Sequence, residues 1–295
     1  MTTPVSLVDL KPEQFKVFLD SFDHVFSDCD GVIWYSEPLP RVGEFFDLMQ
    51  KHGKTVNFVS NNSLRPAENY KKMFRDAKIQ NGYEKLTTPS VAIAEYLKAA
   101  KFDKKIYSMS CTETTKLLES YGFVCKTGPH LSLDYYEDYI QYFQDDPEIG
   151  AVVLDSDFRG NLAKIYKACT YLQRPEVLFL AGATDKRLLL KKGILNIGCA
   201  IFTEVVANET KREPIIMAKP SKIFGEFAMK RAGISCDPSR ILFIGDMIEQ
   251  DIALGHAIGF KTLLLLSDAT KETMMAHEIK PDYYADSLES IVPLL

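Results

Sequence analysis

The chain has 295 residues, more than the about 100 to 200 of an ordinary domain, so we expect one large domain or two unequal ones. A hydrophobic fraction of 46% with 25% charged residues is typical of a globular protein and excludes a disordered or fibrous chain. The net charge of -5 gives no electrostatic basis for binding nucleic acid or an anionic membrane, so an anionic substrate must be attracted locally.

The first hundred residues alternate apolar runs of strand length with helical patterns. The sequence predicts strands at His24–Ser27 and Thr55–Val59, with a helix over Val42–Lys51 between them. Polar residues, Asp28 and Ser60, follow the two strands directly. This alternation is typical of an α/β fold in which helices cover a parallel sheet.

The middle of the chain has strands and helices of its own. Strands are predicted at Lys105–Ser108, Ala151–Leu154 and Val177–Leu180, which is enough material for a second domain inserted at residues 101–207.

Towards the carboxyl end the strand pattern resumes at Ile241–Ile244 and Lys261–Leu266. We therefore predict a doubly wound parallel-sheet (Rossmann-like) core formed by residues 1–100 and 208–295, with an inserted α/β cap domain between the two parts.

Acidic side chains recur where the predicted core strands end. Because the carboxyl ends of parallel strands form one crevice, we expect these residues to converge there. Carboxylates on one rim repel each other, so a cation is expected, and oxygen ligands favour Mg²⁺. A single aspartate in such a position is as commonly a helix cap, so the prediction rests on the convergence. The converging residues are Asp28, Asp30, Ser60, Lys219, Asp246 and Asp251.

The charges at such a site do not balance when all the acids are ionised. If the bound ligand is a phosphate dianion, its negative charge and that of the four carboxylates exceed the positive charge of Mg²⁺ and Lys219 by about three. At least one carboxyl group should therefore hold a proton. A protonated acid is also what the departure of an alkoxide requires. We assign this role to one member of the pair Asp28 and Asp30.

Four motifs resemble those of the haloacid dehalogenase superfamily of phosphatases, in the same order and with similar gaps along nearly the whole chain. Within that superfamily, the tryptophan after the aspartate pair and the Ser-Asn-Asn-Ser string are similar to the 4-nitrophenylphosphatase, phosphoglycolate phosphatase and pyridoxal phosphatase (chronophin) group. The motifs are DCDGVIW at 28–34, VSNNS at 59–63, KPS at 219–221, and the Gly245-Asp246 pair with Asp251.

The resemblance implies a Mg²⁺-dependent phosphoric monoester hydrolase that forms an aspartyl-phosphate. Asp28 would be the nucleophile, and Asp30 would protonate the leaving group and then deprotonate the attacking water. The metal would be held by Asp28, the backbone carbonyl of Asp30, and Asp246, while Asp251 would hold a metal-bound water or orient Lys219.

The same resemblance implies that the Ser60 hydroxyl and the Asn61 amide bind phosphate oxygens and that Lys219 neutralises the transferred group. In the cap, Asp185, Lys186 and Arg187 stand where relatives carry a different substrate loop, so the substrate stays open beyond a small phosphorylated metabolite. We hypothesise that Lys186 or Arg187 faces an anionic part of it, although charged runs of this kind are more commonly solvated surface loops. A homodimer through the cap is also expected by resemblance.

Three alternatives stay open. The pair Asp155 and Asp157 could be the reactive one, although Phe158 and Arg159 replace the glycine that lets a backbone approach a ligand. The chain could be a non-catalytic phosphate-binding protein, or a phosphotransferase that passes the phosphoryl group to a sugar.

The sequence also favours a cytoplasmic protein. No apolar run approaches the roughly 18 residues of a membrane span, and the amino terminus lacks the pattern of a secretory signal. The six cysteines form no CxxC pair, which favours reduced thiols over disulfides or a zinc site. Cys29, flanked by Asp28 and Asp30, is expected to be inert rather than a redox switch.

Overall fold

The structure, a computed structural model, describes residues 3–130, 134–186, 197–267 and 269–295. The predicted insertion, residues 101–207, lies inside the second of two compact units, and its standing as a separate domain stays a prediction. The first unit comprises Met1–Ser60, Pro66–Thr87 and Lys219–Leu295, and the second comprises Asn61–Arg65 and Thr88–Ala218.

Short strands recur along the described part of the chain. They are β1 (Val5–Ser6), β2 (His24–Ser27), β3 (Thr55–Val59), β4 (Leu86–Thr87), β5 (Lys105–Met109), β6 (Cys125–Lys126), β7 (Ile149–Leu154), β8 (Leu178–Ala181), β9 (Ile215–Ile216), β10 (Ile241–Gly245), β11 (Lys261–Leu265) and β12 (Tyr283–Ala285).

Helices separate most of these strands. They are α1 (Pro12–Asp20), α2 (Val42–Lys51), α3 (Ala67–Asp76), α4 (Pro89–Ala99), α5 (Thr112–Ser120), α6 (Tyr136–Ile140), α7 (Leu162–Leu172), α8 (Ala200–Thr210), α9 (Lys222–Arg231), α10 (Ala253–Ile258), α11 (Lys271–Ala276) and α12 (Leu288–Ile291). Within the described residues, none of them combines the length and apolarity that crossing a bilayer requires.

The first unit is built on a parallel sheet with the strand order β1-β12-β11-β10-β2-β3-β4. The chain winds one way from β2 through β3 to β4, and the other way from β10 through β11 to β12. The winding direction therefore reverses between β2 and β10, and this point of reversal is where doubly wound sheets bind ligands. The predicted α/β fold class is confirmed.

The strands at the reversal are the most buried, as central parallel strands should be. All five residues of β10 are buried, and three of the four in β2. Continuous apolar strands of this kind require cover on both faces of the sheet. Helix α2 packs with α12, and α9 packs with α10, to provide helical layers.

The second unit has its own parallel sheet, with the order β6-β5-β7-β8-β9. Its central strand β7 is buried at all six positions. Helix α4 packs with α5, and α7 packs with α8. The second unit thus repeats the alternation of strand and helix that its sequence predicts.

Aromatic rings fill the core of the first unit beside β2 and β3. The Phe58 ring lies 5.3 Å from that of Phe46 and 4.9 Å from that of Phe74, and Phe74 in turn lies edge-on to Trp34 at 4.9 Å. All four side chains are buried. This cluster fixes helices α2 and α3 on the sheet through close packing.

Because Phe58 lies at the centre of this cluster, we expect Phe58→Ala to lower the free energy of unfolding by about 3 to 5 kcal/mol through lost contacts and a residual cavity. Urea denaturation followed by circular dichroism measures this change. Val17→Ala on the exposed face of α1, where the side chain is 69% exposed, is the control and should shift stability by less than about 0.5 kcal/mol. Equal effects of the two substitutions would contradict the assignment of the core.

Candidate active site

The two strands at the reversal each lead into an aspartate. β2 and β10 pair so that Ser27 lies beside Ile244, and the backbone amide of Asp28 donates to the Ile244 carbonyl at 2.8 Å. Asp28 and Asp246 therefore leave the sheet from neighbouring strands at its carboxyl edge. Both side chains are buried.

Lys219 reaches the same edge from the segment that precedes α9. Its Nζ lies 2.8 Å from Oδ1 of Asp28 and 2.7 Å from Oδ1 of Asp251. Lys219 is 1% exposed and Asp251 is fully buried. Because an isolated buried charge is costly, the ammonium and the two carboxylates stabilise one another. The structure thus brings together Asp28, Lys219, Asp246 and Asp251.

Burial changes the protonation of this cluster. It raises the pKa of Asp28 from 3.8 to about 7, although the charge of Lys219 acts in the opposite direction. Burial alone would lower the pKa of Lys219, but the negative charges of Asp251 and Asp28 outweigh this effect and raise it. Desolvation therefore disfavours the charged form of Asp28 in the metal-free chain.

Asp251 is presented by a single π-helical turn, Ile248–Ile252, directly after β10. Its Oδ2 accepts hydrogen bonds from the backbone amides of Asp246 at 3.1 Å and Met247 at 3.0 Å. A Cβ on Gly245 would lie 2.2 Å from that of Asp251, so only glycine permits this approach. One carboxylate therefore orients Lys219 and also holds the backbone at Asp246.

The donor set of this cluster suits a hard divalent cation. In the described part of the chain, one oxygen from each of Asp28, Asp246 and Asp251 lies within 4.8 Å of the others. Gly31 has a φ of +80°, and a Cβ there would lie 2.0 Å from Oδ2 of Asp246, so the backbone lies close against this carboxylate. Three carboxylates and one ammonium leave an excess negative charge, and an all-oxygen donor set fits Mg²⁺ rather than a soft metal.

Asp30, the second predicted catalytic acid, lies on the turn that follows β2. Its Oδ1 accepts a hydrogen bond from the indole Nε1 of Trp34 at 3.1 Å. The sequence indicated no role for Trp34 beyond its part in the resemblance to the 4-nitrophenylphosphatase group. The signal that could have identified the contact is the spacing of four residues between the acid and this side chain. Cys29 is fully buried in the apolar core, and the expectation that it is inert stays a prediction.

Ser60 follows β3 and is buried, with its backbone amide bonded to the Thr87 carbonyl at 3.0 Å. Its Oγ lies 3.4 Å from the hydroxyl of Tyr70 on α3. Asn61 is the next residue in the chain and belongs to the second unit. The phosphate-binding role of these two residues stays a prediction.

The alternative pair, Asp155 and Asp157, lies in the second unit, where both carboxylates are engaged. Oδ1 of Asp155 accepts from the amides of Ser156 at 2.8 Å and Ala183 at 3.2 Å, and burial raises the pKa of this aspartate. Asp157 forms a buried ion pair with Lys164 at 2.6 Å. This arrangement favours a structural role for the pair, because each acid is already satisfied within its own unit.

The candidate substrate loop is only partly described. Asp185 is half-buried and Lys186 is exposed, and their carbonyls accept from the amides of Ala200 at 3.2 Å and Gly198 at 2.9 Å. Arg187 lies outside the described residues. The hypothesis that Lys186 or Arg187 contacts an anionic substrate stays a prediction.

Comparison with known proteins gives an independent view of the chain. The sequence profile of the haloacid dehalogenase-like hydrolase family matches residues 25–124, and a second profile, HAD-hydrolase-like, matches residues 216–291. The chain is 32% identical to phosphoglycolate phosphatase 2 of Arabidopsis thaliana, with 97% of each chain covered. It is 29% identical to glycerol-3-phosphate phosphatase of Rattus norvegicus, with 99% of this chain and 96% of the relative covered.

A solved structure agrees on the fold. The p-nitrophenyl phosphatase from Archaeoglobus fulgidus superposes with a TM-score of 0.77 at 24% identity, covering 93% of this chain and all of that one. The prediction of a phosphoric monoester hydrolase agrees with the names of these relatives. From its identity to full-length relatives and the two matching profiles, the chain belongs to the haloacid dehalogenase-like hydrolases.

Proposed function

We propose that this chain is a Mg²⁺-dependent phosphatase that hydrolyses a small phosphate monoester through an aspartyl-phosphate on Asp28. The observation that carries this proposal is the Lys219 ammonium held between Asp28 and Asp251, in a cluster that also contains Asp246. Phosphoryl transfer develops negative charge on the equatorial phosphate oxygens, so a fixed cation beside a carboxylate suits it. Relatives named phosphoglycolate phosphatase and glycerol-3-phosphate phosphatase support the same reaction class.

Asp28, Asp246 and the backbone carbonyl of Asp30 would hold the metal. When bound, Mg²⁺ would supply positive charge to the phosphoryl oxygens and favour the ionised form of Asp28. Asp251 would keep Lys219 aimed at the phosphoryl group, because its other oxygen is fixed by two backbone amides.

In the first half-reaction, a carboxylate oxygen of Asp28 attacks phosphorus while the bond from phosphorus to the ester oxygen breaks. The electron pair of that bond goes to the ester oxygen, which takes a proton from Asp30 and leaves as an alcohol. Lys219, the Ser60 hydroxyl and the Asn61 amide would stabilise the phosphoryl oxygens throughout.

In the second half-reaction, Asp30 accepts a proton from water as the water oxygen attacks phosphorus. The bond from phosphorus to Asp28 breaks, its electron pair returns to the carboxylate, and phosphate leaves. Asp30 is then protonated again, ready for the next ester. The pairing of copies through the cap and a cytoplasmic location stay predictions.

The first test is release of inorganic phosphate from 4-nitrophenyl phosphate, glycerol phosphate and phosphoglycolate, with and without Mg²⁺. We expect turnover with Mg²⁺ and a loss of at least about 10³-fold in Asp28→Asn, which keeps the shape but removes the nucleophile. Asp47→Asn, on α2 away from the site, is the matched control and should retain full activity.

Two other functions give different results in this assay. A non-catalytic phosphate-binding protein would release no phosphate from any ester. A phosphotransferase would release the alcohol of the ester but, with a sugar added as acceptor, would form a new phosphate ester in place of free phosphate. Activity unchanged by Asp28→Asn would contradict the proposed nucleophile.

Metal binding can be tested without turnover. We expect Mg²⁺ at 100 times its dissociation constant to stabilise the fold by about 2.7 kcal/mol, because only the native chain assembles the site. The measurement is the melting temperature across a Mg²⁺ titration in wild type and in Asp246→Asn, which replaces one ligand with a weaker neutral one. An equal shift in both proteins would place the metal elsewhere.

Stability should depend on pH through Asp28. Its folded pKa of about 7 lies above the ordinary 3.8, so between these values the native state binds more protons than the unfolded state and loses stability as pH rises. Asparagine does not titrate. In EDTA, the stability of Asp28→Asn relative to wild type should therefore increase from pH 5 to pH 7, measured by urea denaturation.

The control for this titration is Asp237→Asn. A backbone hydrogen bond from Ser239 lowers the pKa of Asp237, which is thus ionised throughout this range in both states. Its difference from wild type should be flat between pH 5 and pH 7. A flat difference for Asp28→Asn as well would show that burial does not raise the pKa of the Asp28 carboxyl group in the wild-type chain.

A further inference from the structure

We propose that Trp34 is a positioning residue whose indole N–H fixes the carboxyl group of Asp30 in the orientation that protonates the leaving group. This inference rests on the proposed phosphatase function and adds to it a residue that makes no contact with the phosphoryl group in the mechanism above.

The hydrogen bond from Trp34 to Asp30 is built into a closed turn. Besides the indole bond of 3.1 Å to Oδ1 of Asp30, the amide of Gly31 donates to the Trp34 carbonyl at 2.8 Å. The amide of Trp34 donates in turn to the Cys29 carbonyl at 3.2 Å. The donor and the acceptor of the indole bond are therefore carried by one short, internally bonded loop, which limits their relative movement.

The indole ring is also held from behind. Trp34 is fully buried, and Phe74 of α3 packs edge-on against it at 4.9 Å, with Tyr70 of the same helix at 6.3 Å. Rotation of the ring away from Asp30 would have to displace these side chains. Since the Tyr70 hydroxyl lies 3.4 Å from Oγ of Ser60, helix α3 supports both the predicted acid and a predicted phosphate ligand.

The indole hydrogen bond restricts rotation of the Asp30 carboxyl group about its terminal torsion. The terminal torsion of an aspartate is broad, so an unrestrained carboxyl group samples many orientations. With Oδ1 held as acceptor of the indole N–H, the transferable proton belongs on Oδ2, in a fixed direction. General acid catalysis contributes about 10²- to 10⁴-fold, and only when the proton lies within hydrogen-bonding reach of its target.

The competing explanation is that Trp34 only fills the core. Loss of packing alone would impair all substrates alike, whereas loss of orientation at Asp30 would impair only esters whose leaving group needs a proton. 4-Nitrophenolate is stable as an anion and gains little from protonation. The alkoxide of glycerol phosphate is strongly basic and leaves slowly unless it is protonated.

The experiment compares the two esters in Trp34→Phe, which keeps an aromatic ring and removes the N–H. We expect kcat/KM for glycerol phosphate to fall by about 10- to 100-fold, and that for 4-nitrophenyl phosphate to change by less than about threefold. The parameter kcat/KM is chosen because it reports the steps up to release of the alcohol, and not the later hydrolysis that both esters share.

Two variants separate positioning from packing. In an Asp30→Asn background, Trp34→Phe should cause no further loss on glycerol phosphate, because the group it orients is gone. Phe46→Leu, a core change at a ring that packs against Phe58, should lower the melting temperature without changing the ratio of the two rates.

A second route removes the donor without changing the ring size. Trp34 is the only tryptophan of the chain, so biosynthetic replacement of tryptophan by benzothienylalanine puts sulfur in place of the N–H at this position alone. The same selective loss on glycerol phosphate is expected, even if Trp34→Phe does not fold.

An equal loss on both esters, or a further loss in the Asp30→Asn background, would overturn the positioning role. If the wild-type chain hydrolyses neither ester, the proposed function itself fails. That result differs from failure of this inference alone, in which the wild type is active on both esters and the ratio of the two rates is unchanged by removing the indole N–H.

Discussion

The ion pair network of Lys219 is the interaction on which the rest of the site depends. A buried ammonium with two buried carboxylates is stable only if all three charges are placed together, so the network constrains β2, the π-helical turn after β10, and the segment before α9 at once. In the chain, β2 is separated from the other two parts by about two hundred residues. Their assembly therefore requires β2 to pair with β10, so a site of this kind cannot form in one half of the chain.

The network also explains how one site can hold acids of different character. Burial raises the pKa of Asp28, whereas Asp251 is bonded to both Lys219 and two backbone amides. Asp30 is half-buried and accepts a hydrogen bond from the indole N–H of Trp34. Environment, and not residue type, distinguishes the three aspartates, which is how neighbouring carboxylates take different roles in catalysis.

Much of the fold followed from sequence because its signals are local. The predicted strands are present with ends that differ by at most two residues, since buried parallel strands are continuous apolar runs bounded by turns. The convergence of Asp28, Lys219, Asp246 and Asp251 could also be predicted, because the ends of parallel strands meet at one edge. The contact of Trp34 with Asp30 was not predicted, since a lone tryptophan near a strand is most often core.

The sequence by itself determined the α/β class, the order of the strands along the chain and the identity of the acids, because periodicity and strand-end chemistry are written in neighbouring residues. Only the tertiary structure decided which strands are adjacent, that Lys219 is shared between Asp28 and Asp251, and that Asp28 is desolvated. These properties depend on how segments far apart in the chain pack together and on which side chains that packing buries. The pKa of a side chain is shifted by this environment, which its residue type does not specify.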